Sequence, residues 1–185
     1  MIIAICGHKF SGKSTVARLL HNDTGYTVVS FADKLKDITC VLSGCTREDL
    51  EDYEFKETQC VPDYLRPYCG NAQKPTYRAF LQHFGSEVMR SINDNIWIDC
   101  TLSNCGENAI ISDCRFPNEA RAVKARGGIV IKVVRHDAKA EDSHQSETLI
   151  DEIDADYTLW NDSTMENLVA NVDSLVRVMR VNNKI

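Results

Sequence analysis

The sequence predicts an α/β fold: a three-layer sandwich of about five parallel strands with helices on both faces. Three observations carry that expectation. Short apolar runs alternate with segments of helical periodicity. The first run, Met1 to Cys6, is continuously apolar, as in a strand covered on both faces. A glycine-containing turn joins the first run directly to the first helical segment.

Met1 to Cys6 (MIIAIC) reads as the first strand, and Gly12 to Asn22 as a helix with Val16, Leu19 and Leu20 at helical spacing. Thr27 to Phe31 (TVVSF) and Asn108 to Asp113 (NAIISD) read as the second and third strands. Pro117 to Arg126 is a helix that opens on proline and stops at Gly127-Gly128. Ile129 to Val134 and Asp156 to Leu159 give the last two strands. The final helix carries Leu168, Val169, Val172, Leu175, Val176 and Met179 on one stripe, with Ser163 and Glu166 spaced as a capping box.

Two stretches leave the alternation. About 75 residues separate the second and third strands, longer than a connection needs to be and typical of a functional insertion. They read as mostly helical. Thr46 and Asp49 form a cap, Gln59 to Lys74 reads as loop, and a helix from Tyr77 to Ile92 buries Phe80, Leu81, Phe84 and Val88. The second stretch, His136 to Ser146, is polar and irregular. The organisation expected is one domain over 1–185, with a helical insert at 33–107 and a lid region at 136–150.

With 21 Lys+Arg against 27 Asp+Glu, the net charge is -6, which argues against a nucleic-acid partner but permits a small anionic ligand. No apolar run has transmembrane length, and the N-terminus lacks the basic region of a signal peptide, so an intracellular protein with no membrane partner is expected. The eight cysteines include no CxxC pair and read as reduced, mostly buried thiols rather than a zinc site or a disulfide framework.

Chemistry enters at Gly7-His8-Lys9-Phe10-Ser11-Gly12-Lys13-Ser14, which fits G-x-x-x-x-G-K-[ST] without a mismatch. Glycines let the backbone wrap closely around phosphates, and the helix that follows turns its free N–H groups toward them. Lys13 supplies charge for the β- and γ-phosphates and Ser14 a hydroxyl for Mg²⁺. Gly7, Lys9, Ser11, Gly12, Lys13, Ser14 and Thr15 are therefore the candidate ATP-binding set. Asp113, at the carboxyl end of the third strand, is the candidate second metal residue, with Asp33 competing for that role. Arg115 and Arg135 end strands at the same sheet edge, whereas Arg78 and Arg90 lie on the insert helix, Arg78 four residues from Gln82.

These segments carry a resemblance. The loop GHKFSGKST, then SFADKLKD, YRAFLQHFGSEVMRSINDNIWID, IISDCRFPNEARAVKARGGIVIKVVR and DSHQSETLIDEIDADYTLWND follow in the order found in deoxynucleoside monophosphate kinases of T-even-type phages and some large DNA viruses. The chain is also similar to the P-loop kinases that act on dephospho-coenzyme A and phosphomevalonate. The combination LQ-x-x-G-[ST]-E-x-x-R, D-x-R-F-x-N-E and H-x-S-E is the specific part, with Ser86 where the pattern usually has Thr.

The resemblance implies a P-loop kinase-type fold and ATP-dependent phosphorylation of a deoxynucleoside monophosphate with Mg²⁺, for DNA precursor synthesis. The insert then holds the acceptor through Asp33, Lys36, Arg78, Gln82 and Arg90, and Trp97 either stacks on a base or fills the core. Lys13, Arg115, Arg135 and Asp33 form the implied catalytic set, and His144, Ser146 and Glu147 belong to the lid. A homodimer in the host cytoplasm is implied. Dephospho-coenzyme A or phosphomevalonate as acceptor, and a nucleotide-dependent switch, are the alternatives.

Overall fold

The computed structural model describes residues 1–136, 148–182 and 184–185. Along the chain lie β1 (Ile2–Cys6), α1 (Lys13–Thr24), β2 (Thr27–Val29), α2 (Asp33–Ser43), α3 (Arg47–Glu51), α4 (Tyr53–Thr58) and a 3-10 helix (Asp63–Cys69). Then α5 (Tyr77–Gln82) runs through a π-helical turn (His83–Val88) into α6 (Met89–Ile92). There follow α7 (Ile96–Leu102), β3 (Ala109–Cys114), α8 (Pro117–Ala125), β4 (Ile129–Val134), a 3-10 turn (Leu149–Glu152), β5 (Tyr157–Trp160) and α9 (Met165–Val181). Two compact units form: Met1–Phe31 with Leu102–Ile185, and Ala32–Thr101.

The first unit is the sheet, in the order β2-β3-β1-β4-β5 with every pairing parallel. β1 lies at its centre, and all five of its residues are buried. The unbroken apolar sequence of IIAIC, and IVIKVV with Lys132 as its one charged residue, follow from cover on both faces. One such core gathers Ile3, Ile5 and Ile131 from the sheet, Val16 and Leu20 from α1, and Val172, Val176 and Met179 from α9. β2 stops at Val29, two residues short of expectation. The Phe31 amide leaves the ladder to donate to the Asp113 carboxylate at 2.7 Å, and the Ser30 hydroxyl donates to the same group.

The cap of α9 is corrected. Thr164 is the N-cap, its Oγ1 accepting from the Asn167 amide, while Ser163 Oγ accepts from the Asn167 side chain at 2.7 Å. Among the described residues, no helix is long and apolar enough to cross a membrane.

The second unit packs around Leu50, Val61, Leu65, Cys69, Tyr77 and Phe80. Here the expected loop at Gln59 to Lys74 is corrected. The Val61 amide donates to Pro75 O at 2.9 Å and the Tyr77 amide to Gln59 O at 3.1 Å. Asp63–Cys69 between them is a 3-10 helix that buries Leu65 and Cys69. The Thr46–Asp49 capping box is present.

The 77–92 helix is continuous but not uniformly α. Its π turn inserts one residue and rotates the stripe by roughly 100°. Phe80 is fully buried and Phe84 stacks on it with ring centroids 5.0 Å apart, but Val88 falls outside the cluster. All eight cysteines are thiols. Cys6, Cys69, Cys105 and Cys114 are buried, Cys40, Cys45 and Cys100 half-buried and Cys60 exposed, so burial holds for half the set rather than most of it.

Candidate active site

The loop between β1 and α1 is shaped by close backbone approach. Gly7 has φ 146°, and a Cβ there would lie 2.3 Å from the Val133 carbonyl oxygen of β4. Gly12 has φ 100°, and its Cβ would lie 2.4 Å from Asn161 Nδ2. Phe10, at φ 65°, adopts the left-handed region without glycine's freedom, a strain of about 1 kcal/mol held in place by the turn from Ser11 N–H to His8 O. The result is a narrow concave loop that larger residues at either glycine could not form.

Lys13 Nζ donates to Gly7 O and His8 O, both at 2.7 Å, so its ammonium lies within the curve of the loop. Helix α1 begins with no side-chain cap and no acidic residue in its first turn, which leaves its opening amides and positive dipole end for an anion. Ser11 is 1% exposed and its Oγ has no hydrogen-bond partner among the described residues. A buried hydroxyl in that state is costly, and a phosphate oxygen would satisfy it. The cradle thus fits a polyphosphate. Ser14 is exposed at the start of the helix and Thr15 half-buried; Phe10 is 65% exposed, with Lys9 Nζ 5.4 Å from its ring centroid.

Around the loop stand groups that sequence reasoning did not assign. His8 Nε2 meets Asp151 Oδ1 at 3.0 Å, and Lys132 Nζ lies 3.3 Å from the same oxygen. Partial burial raises the Asp151 pKa, but the His8 and Lys132 contacts outweigh it and hold the carboxyl below its usual range. Asn161 Nδ2 donates to Ser11 O at 2.8 Å. The Asn161 signal was the position just after β5, at the carboxyl edge where ligands of parallel sheets bind.

Asp113 lies within β3, and its carboxylate accepts from the Phe31 amide and the Ser30 hydroxyl. It does not cap the helix at Pro117. That task falls to Glu119, 3% exposed, whose carboxylate accepts from the Arg115 amide at 2.8 Å and the Phe116 amide at 3.1 Å. Glu119 therefore fixes the backbone from which Arg115 projects. Arg135 is exposed just past β4, near Asp162. The Asp162 carboxylate is bonded by the His136 amide at 2.7 Å and ring at 2.6 Å, which holds it below the usual carboxylate range.

In the second unit, Asp33 opens α2 and pairs with Arg47 at 3.0 Å; Arg47 also reaches Asp37 and Glu51. Lys36 pairs with Glu51 at 2.6 Å. Arg78 lies 4.0 Å from Glu57, and Arg90 pairs with Asp94 at 2.8 Å, its side chain 8% exposed. Gln82 ends α5, half-buried. Lys56, not singled out from sequence, is pushed below the usual lysine range by burial and by the charges of Lys36 and Arg78. That coupling puts three cations of the unit in one electrostatic neighbourhood. Trp97 is 5% exposed and donates its indole N–H to Gly85 O at 2.8 Å; it is a core residue, not a stacking platform. His144, Ser146 and Glu147 lie outside the described residues.

Residues 41–172 match the family model described as deoxynucleotide monophosphate kinase. The chain is 32% identical, over 95% of its length and 96% of the relative's, to a putative deoxynucleotide monophosphate kinase of Acanthamoeba polyphaga mimivirus. A 70-residue stretch, 38% of the chain and 29% of the relative, is 33% identical to the deoxynucleotide monophosphate kinase of Enterobacteria phage T4. The fold is similar to that of dephospho-CoA kinase from Campylobacter jejuni, with a TM-score of 0.54 at 13% identity over 98% of each chain. Sequence similarity along nearly the whole chain, on a five-stranded parallel sheet, shows that this phosphotransferase belongs to the deoxynucleotide monophosphate kinase family.

Proposed function

We propose that the protein transfers the γ-phosphoryl group of ATP to a deoxynucleoside monophosphate, giving the diphosphate and ADP. The observation that carries this reading is the glycine-shaped cradle on an uncapped helix N-terminus, with Lys13 inside it and a buried, unsatisfied Ser11 hydroxyl, in a chain of this family. Backbone amides of the loop and of α1 would hold the donor's phosphates. Lys13 would exchange its two loop carbonyls for phosphate oxygens and neutralise charge as the phosphoryl group moves. Ser14 and Asp113 would hold Mg²⁺, which supplies charge neutralisation between the β- and γ-phosphates.

The acceptor's phosphate is already an oxyanion, so no general base is needed. Positioning and charge supply the catalysis. Arg115, its backbone fixed by Glu119, and Arg135 are the proposed clamps on the donor phosphates. Asp33, Lys36, Arg78, Gln82 and Arg90 are the proposed acceptor contacts, Arg78 facing its phosphate. His144, Ser146 and Glu147 are the proposed lid. The same reading takes the protein as a homodimer in the host cytoplasm with small-molecule substrates.

The test is a coupled ADP-release assay with ATP and Mg²⁺. It is run against the four deoxynucleoside monophosphates, their ribose counterparts, dephospho-coenzyme A and phosphomevalonate. Turnover with at least one deoxynucleotide, well above that with the other acceptors, is the expected result. Turnover only with dephospho-coenzyme A or phosphomevalonate, or none at all, rejects the reading.

A further inference from the structure

The side chain of Asn161 reaches the phosphate-binding loop from the far end of the sequence. Its Nδ2 donates to the Ser11 carbonyl at 2.8 Å and sits against the α-carbon of Gly12, where a Cβ would come within 2.4 Å of it. Its backbone is fixed independently, since the Asn161 amide donates to Val134 O at 2.8 Å and so ties β5's end to β4. On one side, Asn171 Nδ2 donates to the Trp160 carbonyl at 3.3 Å; on the other, Asp162 grips the amide and ring of His136. The side chain therefore projects from a rigid seat, and the loop is what it restrains.

The restrained atom matters because a trans peptide is planar, with its C=O and N–H on opposite sides. Drawing the Ser11 carbonyl toward Asn161 turns the Gly12 N–H the other way, toward the face from which a loop-bound phosphate must approach. Gly12 answers two demands at once: φ 100°, and no side chain where the Asn161 amide lies.

We propose that Asn161 is a positioning residue of the phosphate-binding loop, setting the orientation of the Ser11–Gly12 peptide and through it the affinity for the nucleoside triphosphate. This rests on the assignment of the loop to ATP made above. It adds a determinant from outside the G-x-x-x-x-G-K-S segment.

The experiment is isothermal titration of wild type, Asn161→Asp and Asn161→Ala with ATP and Mg²⁺, together with steady-state KM values for both substrates and melting curves without nucleotide. Asn161→Asp replaces the donor by an anion facing a carbonyl; Asn161→Ala removes the group without adding charge, at a half-exposed position that any residue can occupy. The ATP Kd is expected to rise about tenfold in the alanine variant and further in the aspartate variant, as loss of one hydrogen bond implies. The acceptor KM should stay within about twofold, because the lost restraint acts on the donor loop alone. Melting should shift by no more than about 3 °C. Folded variants that bind ATP as wild type does overturn the inference while leaving the loop's assignment intact, and so does an acceptor KM that rises in step with the ATP Kd. A wild-type protein that binds no ATP overturns the assignment itself and the inference with it.

Discussion

The phosphate-binding loop and the Ala32–Thr101 unit hold their polar groups by opposite means. The loop's backbone is shaped by close contacts such as Gly7 against Val133 and Gly12 against Asn161, with Lys13 bonded to its carbonyls. In the second unit the polar groups are side chains held by opposite charges: Asp33, Asp37 and Glu51 around Arg47, Glu51 on Lys36, Glu57 near Arg78. The first arrangement leaves no room for side chains at Gly7 and Gly12. The second can be rewired one side chain at a time, which would suit the acceptor role proposed for it.

The contrast is most sharply broken at Lys13, whose ammonium is bonded within the loop. Lys13→Ala should lower kcat by about 10³-fold, as removal of a preorganised charge at a transferring group does. The melting temperature should hold, because the Lys13 ammonium is bonded to the Gly7 and His8 carbonyls of the loop rather than placed in the apolar core. Near-normal turnover in a folded variant would return Lys13 to a structural role. Phe80→Ala addresses the other region. Phe80 is fully buried at the centre of the second unit and stacked on Phe84, so its loss should cost about 4 kcal/mol in a urea titration. A cost under about 1 kcal/mol would mean that this cluster contributes little to the unit's stability.

Alkaline pH probes a buried thiol of the central strand. Burial beneath the loop pushes the Cys6 thiol from its ordinary 9.0 up to about 11, against the pull of Lys132 and Lys13. The unfolded thiol thus ionises first. Stability from this group is complete below pH 9 and falls by about 3 kcal/mol as pH rises to 11. Denaturation of wild type and Cys6→Ala at pH 8 and 10.5 isolates it: the difference between the two proteins should shrink at high pH. Arg78→Ala then tests the second unit's side-chain strategy. The acceptor's kcat/KM should fall by roughly 10- to 100-fold with the ATP Kd unchanged. A fall in ATP affinity instead would put Arg78 on the donor.

How legible each region was follows from the same physics. The five strands, α1, α8 and the loop were read from local pattern: the apolar runs of β1, β3 and β4 follow from their burial, and the glycine spacing from close approach. The insert's fold was less legible. Val61, Leu65 and Cys69 recur every four residues, yet Pro62 and Pro67 break that run, and main-chain bonds from Val61 to Pro75 and from Tyr77 to Gln59 close the segment on either side of the 3-10 helix, which no periodicity announces. The π turn hid in an ordinary helical stripe because its cause is tertiary: Gly85 packs where a Cβ would come within 2.4 Å of Leu35, and Trp97 bonds its carbonyl. Asn161 and Glu119 were visible as letters in matched segments, but their partners, Ser11 O and the Arg115 amide, are main-chain atoms and leave no trace in sequence.

The smallest effect separates two adjacent hydroxyls. Ser163 and Thr164 both precede α9, and the S-x-x-E spacing favours Ser163, but the Asn167 amide donates to Thr164 Oγ1. Glu166 is held below the usual range first by the same Thr164 hydroxyl, so the threonine serves two groups of the opening turn. Thr164→Ala should therefore cost about 1 kcal/mol, the usual value of an N-cap. Ser163→Ala, which loses only an exposed side-chain contact to Asn167, should stay within about 0.5 kcal/mol of wild type. Thr46→Ala provides the matching measurement in the second unit, where both halves of the capping box are formed. Its helix α3 is only five residues long, so losing the cap there should free a larger share of the helix than at the 17-residue α9. Hydrogen exchange would show this as lost protection across the whole of α3, against fraying confined to the first turn of α9. Equal fraying in the two helices would mean that packing, not the cap, holds the start of α3.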